Sequence, residues 1–317
     1  MVMPADAVFE GGGVKGIGLV GALCYAEQMG YKWRYVAGTS AGAIVASLVA
    51  AGYSANEIKD ILNQTDYMKF LDNGLISGVP YIGPVINLNL KNGIHKGKYF
   101  EEWIRELLAR KGVYTFKHLR MRSKDQQFAY KLRVIAADLS RGALLILPQD
   151  ISYYGMEPDQ LDVARAIRMS MSIPFFYEPI KVDYCRNNQL QTSYVVDGGV
   201  LSNYPVWLFD GEINNLCCPT FGFRLHAPVN GVENSITGPL SMLKAMFTTM
   251  MEAHDQKYIE RAHFARTIFI PSLGVRTTDF DISVEKQTAL FQAGAKAAQD
   301  FFDIWSYQNF TNEYNIL

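Results

Sequence analysis

Two glycine-rich turns constrain the fold of this chain more than any other feature of its sequence. GGGVKG at 11–16 follows a short apolar run at 6–9 and precedes a helical pattern at 17–29. GTSAG at 38–42 follows a second apolar run at 33–37 and leads into another helical pattern. Successive strand–turn–helix units are typical of α/β proteins whose strands lie mainly parallel. The sequence therefore predicts an α/β fold with a mainly parallel central sheet.

The rest of the 317 residues continues this alternation of strands and helices. Ser54 and Glu57 form a predicted capping box at the start of a helix that runs through Leu62. No Ser/Pro-rich linker, internal repeat or low-complexity tract interrupts the pattern, so we expect one domain over 1–317, with residues 211–317 completing it. Further strands are predicted at 132–137, 143–147, 194–196, 220–225 and 267–270, and further helices at 98–110, 159–172, 240–263 and 284–304.

Charge and cysteine content limit the classes of partner and location. Thirty Lys and Arg against 31 Asp and Glu leave a net charge of −1, which excludes a dominant electrostatic footprint for nucleic acid. The four cysteines show neither metal-ligand spacing nor a disulfide framework. No signal peptide and no apolar run long enough to span a membrane is visible. We therefore expect a cytoplasmic protein without a nucleic-acid partner, and the oligomeric state stays open.

The first turn is suited to holding an anion. Gly11, Gly12 and Gly13 lack Cβ atoms, so backbone N–H groups can point outward at the start of the following helix. The anion could be a phosphate or the oxyanion of an acyl transfer. Gly11, Gly13 and Gly16 also satisfy the dinucleotide fingerprint G-x-G-x-x-G, but no acidic residue closes the second strand to hold a ribose. A tight turn without a ligand is the plainer alternative.

The second turn places a serine between a strand and a helix. Ser40, between Gly38 and Gly42, fits the G-x-S-x-G pattern of a nucleophile elbow. Such an elbow exposes the serine Oγ at the carboxyl edge of the sheet, where open α/β folds bind ligands. A serine that only caps the following helix is the alternative. Neighbouring parallel strands would bring the glycine amides of the first turn beside Ser40.

An acid rather than a histidine is the better candidate for the base that activates this serine. The five histidines, at 95, 118, 226, 254 and 263, share no motif. Asp197 ends a predicted strand and is followed by Gly198 and Gly199, which leave room around its carboxylate. Asp197 could therefore accept the serine proton directly.

Taken together, these residues resemble the patatin-like phospholipase family. GGGVKG, GTSAG and DGG occur in the family's order, and VIAADLSRG at 134–142 and RMSMSIP at 168–174 look like its intervening segments. The resemblance covers about residues 5–210. DGG replaces the more frequent DGA, and the aromatic residues at 175–177 replace smaller ones, which bears on substrate fit.

The resemblance implies a three-layer α/β/α fold and a serine lipid acyl hydrolase that takes part in lipid catabolism. It implies a dyad of Ser40 and Asp197 that needs no metal or other cofactor. An oxyanion hole would form around residues 11–13 and 16. Lys15 would either contribute to it or be an ordinary solvated side chain. The expected substrate is a lipid or lysolipid. The alternative from another class is a nucleotide- or lipid-binding module that uses the 11–16 turn without catalysis.

Two further patterns bear on lipid contact. Residues 91–124 contain ten Lys and Arg against three acids, beside an uncharged loop at 73–90. A solvated helix face explains this basic segment, and so does peripheral contact with anionic lipid head groups. Met242, Met246 and Met250 recur along one helical stripe, which predicts either ordinary core or, together with Phe175 and Phe176, an apolar acyl pocket leading to Ser40.

Overall fold

The computed structural model describes residues 2–72, 93–123, 128–215, 218–226, 236–238, 241–242, 245–246, 249 and 264–308. The chain divides into two compact units. The first combines Met1–Thr65, Tyr204–Glu233 and Asp255–Leu317, and the second combines Asp66–Asn203 and Asn234–His254. That both belong to one domain stays a prediction.

The described residues form alternating strands and helices, numbered here in chain order. The strands are β1 Met3–Phe9, β2 Tyr31–Thr39, β3 Gly93–His95, β4 Leu132–Asp138, β5 Ala143–Leu147, β6 Phe175–Tyr177, β7 Ile180–Arg186, β8 Gln189–Asp197, β9 Thr220–His226 and β10 Thr267–Pro271. The helices are α1 Gly16–Gln28, α2 Ala41–Ala51, α3 Ala55–Gln64, α4 Lys98–Arg110, α5 Val163–Ser170 and α6 Val284–Ile304.

Four strands of the first unit lie parallel in the order β10-β9-β1-β2. Every residue of β1 from Ala5 to Phe9 is buried. Because successive side chains of a strand point to opposite faces, both faces of the sheet are covered at β1. The prediction of an α/β fold with a mainly parallel sheet is confirmed.

The second unit contains the antiparallel pairs. β4 pairs with β5 on one side and with β8 on the other, and β7 and β8 form a hairpin. The hairpin turns at Asn187 and Asn188, whose φ angles of 52° and 59° are the left-handed values that a tight hairpin turn requires. A short parallel pair joins β3 and β6. The sequence analysis predicted only the end of β8 and missed β3, β6 and β7.

Most predicted helices agree with the structure, and one is too long. The helices at 98–110 and 284–304 are confirmed, as is the capping box of Ser54 and Glu57. The helix predicted at 159–172 covers only Val163–Ser170. It begins there because the Asp162 side chain accepts a hydrogen bond from the backbone N–H of Arg165, whereas Pro158–Gln160 form a separate 3-10 turn.

Helices α1 and α6 of the first unit pack with their backbones in close approach. A Cβ at Gly21 would lie 2.0 Å from the carbonyl oxygen of Phe291, and one at Gly294 would lie 1.9 Å from that of Gly18. Because no side chain fits at such distances, glycine at these positions sets the helix separation. This contact fixes α1, whose first residue is the last glycine of the 11–16 turn.

We expect Gly21→Ala and Gly294→Ala to destabilise the protein, because each inserted methyl group meets rigid backbone. The expected loss in the free energy of unfolding is about 1–3 kcal/mol for each. Urea unfolding followed by circular dichroism measures it. Gly238→Ala is the matched control, since a Cβ at Gly238 contacts nothing within 4 Å. Equal unfolding midpoints for all three variants would contradict this account of the helix packing.

Candidate active site

The 11–16 turn in the first unit has a backbone that only glycine supports at one position. Gly13 has a φ of 56°, and a Cβ there would lie 1.9 Å from the carbonyl oxygen of Thr277. Gly13–Lys15 form a 3-10 turn that leads directly into α1 at Gly16. Glycine is therefore required at position 13 both by conformation and by space.

The backbone N–H groups of the 11–16 turn differ in whether they donate to a protein acceptor. Val14 donates to the carbonyl oxygen of Thr277 over 3.3 Å, Lys15 to that of Gly12 over 3.2 Å, and Gly16 to that of Gly13. Within the described part of the chain, the N–H groups of Gly12 and Gly13 donate to no protein acceptor. These two amides are therefore available to an anion, whereas those of Lys15 and Gly16 serve the turn itself. Gly11 is buried where the turn begins, and the Lys15 side chain is half-buried.

Ser40 stands between β2 and α2 in a strained conformation. Its φ of 53° and ψ of −126° lie in a region that residues with a Cβ rarely adopt. The residue is fully buried. The sharp strand-to-helix turn predicted from G-x-S-x-G is therefore present. This backbone differs from the extended one of an ordinary helix cap, and Ser40 as a nucleophile stays a prediction.

Glycines on both sides of Ser40 allow the backbone to close around it. A Cβ at Gly38 would lie 2.3 Å from the Gly42 carbonyl, and one at Gly42 would lie 2.2 Å from the Phe9 carbonyl oxygen. A Cβ at Gly16 would be 3.4 Å from that of Ala41. The start of α2 is thus packed against the end of β1 and the start of α1. Within the first unit, the structure brings the serine turn and the glycine turn together, as the sequence predicted.

Glu10 is a residue of this region that the sequence analysis missed. It is buried between the end of β1 and the glycine turn. Its Oε2 accepts a hydrogen bond from the backbone N–H of Leu225, and its Oε1 lies 3.6 Å from Nε of Arg224. These contacts tie the entrance of the turn to β9. In the sequence, the position of this acid directly before Gly11 was the available signal that it belongs to the site region.

Asp197, in the second unit, ends β8 and is fully buried. Its backbone N–H donates to the Ser172 carbonyl oxygen over 2.9 Å, and its Oδ1 accepts from the N–H of Gly199 over 2.8 Å. A Cβ at Gly198 would lie 2.5 Å from the Ile135 carbonyl oxygen, so the chain passes β4 without room for a side chain. The carboxylate is therefore held at a fixed position and kept from bulk water.

Arg168 supports the segment that holds Asp197, and the sequence analysis missed it. Its buried guanidinium donates to the hydroxyl oxygen of Ser172 over 2.6 Å. It also donates to the carbonyl oxygens of Lys96 over 2.8 Å and Glu178 over 3.0 Å. Burial lowers the pKa of this guanidinium. The available sequence signals were its place at the start of RMSMSIP and its charge in an apolar helix pattern before Pro174.

The described histidines have local structural contacts. His95 Nδ1 lies 3.3 Å from the Asp72 carbonyl oxygen, and burial lowers the pKa of His95. His118 Nδ1 contacts Thr115, and the His226 ring lies edge-on to that of Phe269. The other two, at 254 and 263, lie outside the described residues.

The patterns that suggested lipid contact are described only in part. The loop at 73–90 and Met250 lie outside the described residues. Met242 and Met246 are 53% and 51% exposed, so the expectation of ordinary core is wrong for these two residues. Phe175 and Phe176 are half-buried, and an acyl wall formed with them stays a prediction. No helix within the described residues is long and apolar enough to cross a membrane.

Ion pairs offset part of the positive charge of the basic segment at 91–124. Arg105 pairs with Glu101 at 2.8 Å and with Asp162 at 3.2 Å, and Arg120 pairs with Asp159 at 2.6 Å. Two of these acids come from outside the segment, so part of its charge is offset within the second unit.

Comparison with known proteins adds family information. The model of the patatin-like phospholipase family matches residues 7–210. The uncharacterized protein YqhO of Bacillus subtilis (strain 168) is 38% identical over 310 residues, which cover 96% of this chain and 100% of that protein. A probable lipid hydrolase, 463L of Invertebrate iridescent virus 6, is 25% identical over 207 residues, covering 63% of this chain and 61% of that protein.

Two solved structures share the fold. VipD from Legionella pneumophila aligns with a TM-score of 0.54 and 18% identity, over 94% of this chain and 66% of VipD. The type III effector protein ExoU aligns with a TM-score of 0.50 and 16% identity, over 97% of this chain and 53% of ExoU. At these identities, the likeness shows the fold alone.

The strain at Ser40 generates a prediction about stability. Glycine adopts the observed φ and ψ without a Cβ clash, whereas alanine keeps the clash. We therefore expect Ser40→Gly to be more stable than Ser40→Ala by about 1 kcal/mol. Thermal and urea unfolding of the two variants measure this difference. A Ser40→Gly variant less stable than Ser40→Ala would show that the turn is not strained.

Proposed function

The chain belongs to the patatin-like phospholipase family, and we propose that it is a serine lipid acyl hydrolase with Ser40 as nucleophile and Asp197 as base. Family membership supports a lipid hydrolase. The observation that carries the finer proposal is the strained, glycine-flanked turn of Ser40, packed beside the 11–16 turn, two of whose amides have no acceptor among the described residues. A turn that served only to cap a helix would not require this conformation.

In the proposed first half-reaction, Ser40 Oγ attacks the carbonyl carbon of a fatty-acyl ester. Asp197 accepts the hydroxyl proton as the new C–O bond forms. When the tetrahedral intermediate collapses, the bond to the alcohol or lysolipid breaks, and Asp197 returns the proton to the leaving oxygen. An acyl group then remains on Ser40.

In the second half-reaction, water replaces the alcohol. Asp197 takes a proton from the water as its oxygen attacks the acyl carbon, and the proton passes to Ser40 Oγ when the acyl–serine bond breaks. The fatty acid leaves and both residues regain their starting states. This scheme uses no cofactor and no metal, as the family resemblance implies.

The N–H groups of Gly12 and Gly13 are the proposed oxyanion donors. Preorganised backbone donors aimed at a developing negative charge typically contribute a factor of about 10²–10³ in rate each. The close contact with Thr277 holds Gly13 in the required conformation. The half-buried Lys15 side chain adds a positive charge next to this turn and is the third proposed contributor.

The proposed substrates are lipids or lysolipids, and the proposed role is lipid catabolism. A cytoplasmic location with peripheral contact to membrane surfaces belongs to the same proposal. The rival, a nucleotide-binding module, lacks an acidic residue where β2 ends at Thr39. Calorimetric titration with NAD and ATP tests this rival directly, and we expect no binding.

We expect Ser40→Ala and Asp197→Asn each to abolish hydrolysis of p-nitrophenyl butyrate, because the first removes the nucleophile and the second the base. A fluorophosphonate probe should label the wild-type protein at Ser40, as read by peptide mass spectrometry. It should not label Ser40→Ala. Circular dichroism shows whether each variant keeps its fold.

The five histidines provide the controls for this dyad. Changing each of them to alanine, one at a time, should leave most of the activity, since the proposed base is a carboxylate. Loss of activity in one folded histidine variant, with retained activity in Asp197→Asn, would replace the dyad by a serine–histidine pair. Absence of both labelling and hydrolysis in the wild-type protein would refute the enzyme proposal.

A further inference from the structure

The β7–β8 hairpin of the second unit extends past the strand that supports it. The last pair of β4 with β8 is Asp138 with Val195, whereas β8 begins at Gln189. Between Gln189 and Ser193, β7 is therefore the one partner of β8 among the described residues. The exposure pattern follows this geometry, because the first four residues of β8 are exposed and the last three are buried.

The end of this hairpin carries a large apolar side chain that is not packed. Leu190 is 80% exposed and pairs across the hairpin with Cys185, which is also exposed. Leu139, in the neighbouring β4–β5 turn, is 51% exposed. That turn lies beside the hairpin, because the Ser140 hydroxyl accepts a hydrogen bond from the backbone N–H of Tyr194. Leu139 thus contacts β8 at Tyr194, four residues or roughly 13 Å along the strand from Leu190.

The other side of the hairpin end carries arginines over a tyrosine. The Arg141 guanidinium lies 3.3 Å from the centroid of the Tyr153 ring, and that of Arg186 lies 5.1 Å from it. Tyr153 also packs against Tyr154 and Tyr184, at centroid distances of 5.3 and 5.8 Å. Tyrosine rings that stack with arginine guanidinium groups suit the boundary between water and the apolar part of a membrane.

The charged side chains at the end of the hairpin and in the β4–β5 turn are positive. Residues 184–192 and 139–142 together contain two charged side chains, Arg186 and Arg141, and both are positive. The nearest acid on the hairpin, Asp183, accepts a hydrogen bond of 2.6 Å from the Thr192 hydroxyl. The carboxylate of buried Asp138 lies 4.0 Å from the Arg141 guanidinium. Guanidinium groups so placed match the phosphates of phospholipid head groups.

A cavity of about 360 Å³ opens beside the same arginine. It is lined by Arg141, Leu144, Leu145, Asp150, Ser152 and Tyr153. Its size is at the lower end of the range for small-molecule sites. A phospholipid head group bound here would contact the Arg141 guanidinium and enter this cavity.

We propose that residues 184–192 and 139–142 together with Tyr153, named here the hairpin surface, dock the protein onto a phospholipid bilayer. Leu190 enters the apolar part of the bilayer, and Arg186 and Arg141 contact phosphates. The inference rests on the proposed function, since a lipid hydrolase needs a lipid surface. It names a surface different from the basic segment at 91–124.

Binding of the full chain to vesicles tests the hairpin surface. Vesicles of phosphatidylcholine and phosphatidylglycerol are mixed with the protein and sedimented. Because Leu190→Ser removes the inserted side chain, it should weaken binding about tenfold or more. Arg141→Gln with Arg186→Gln should weaken it about 25-fold, since each basic residue at a lipid surface contributes about fivefold. Leu190→Trp should keep binding and show a blue shift of its added fluorescence on the vesicles.

Two control variants locate the effect. Ile304→Ser removes a side chain that is as exposed as Leu190, at 82%, but lies in the first unit. Lys117→Gln with Arg122→Gln removes two exposed cations of the basic segment. Both controls should bind vesicles like the wild-type protein. A loss in either control equal to that in Leu190→Ser, or no vesicle binding by the wild-type protein, would overturn the proposal.

Hydrolysis of soluble p-nitrophenyl butyrate separates this inference from the proposed function. The hairpin variants should hydrolyse it at the wild-type rate, because a dissolved ester needs no bilayer. Normal hydrolysis with vesicle binding that ignores Leu190 would refute the hairpin surface alone. Vesicle binding that depends on Leu190, in a protein without hydrolysis, would refute the enzyme and keep the surface.

Discussion

The candidate site depends on the close approach of backbone carbonyls to glycine Cα atoms. In the first unit, this approach occurs at Gly13, Gly38 and Gly42, where any Cβ would lie 1.9–2.3 Å from a neighbouring backbone atom. In the second unit, it occurs at Gly198, beside the carbonyl oxygen of Ile135. A side chain at any of these positions would force the neighbouring segment to move. The motif glycines are therefore required by packing as well as by flexibility.

Interactions outside the motifs offset the energetic cost of this site. A residue strained like Ser40 costs about 1–3 kcal/mol, and a buried carboxylate such as Glu10 adds a desolvation cost. The first unit offsets these costs with the α1–α6 contact and with aromatic packing of Tyr31 against Phe221 and Phe302. Residues after 210, beyond the region that the family model matches, thus support the glycine turn, and Thr277 contacts it directly.

Local sequence patterns predicted the elements whose structure depends on residues close together in the chain. The helix 284–304 and the capping box at Ser54 follow from residue spacing, and the turn at Ser40 follows from its flanking glycines. The sequence did not predict β7 or the contacts of Arg168. The partners of Arg168 lie 72 residues before it at Lys96 and ten after it at Glu178, so no local pattern encodes them. Strand β7 does alternate, because buried Ile180 and Val182 flank exposed Lys181, so this strand signal was present in the sequence and was overlooked. The first four residues of β8 are all exposed and lack such alternation.

Strand β8 shows how one element serves two environments. Its carboxyl end is buried and places Asp197, whereas its amino end is exposed and carries Leu190. At about 3.3 Å per residue, the two side chains are roughly 23 Å apart along the strand. A substitution at the exposed end therefore leaves the packing of Val196 and Val200 around the buried end unchanged. Because a paired strand holds this spacing, the buried end and the exposed end of β8 can be altered separately.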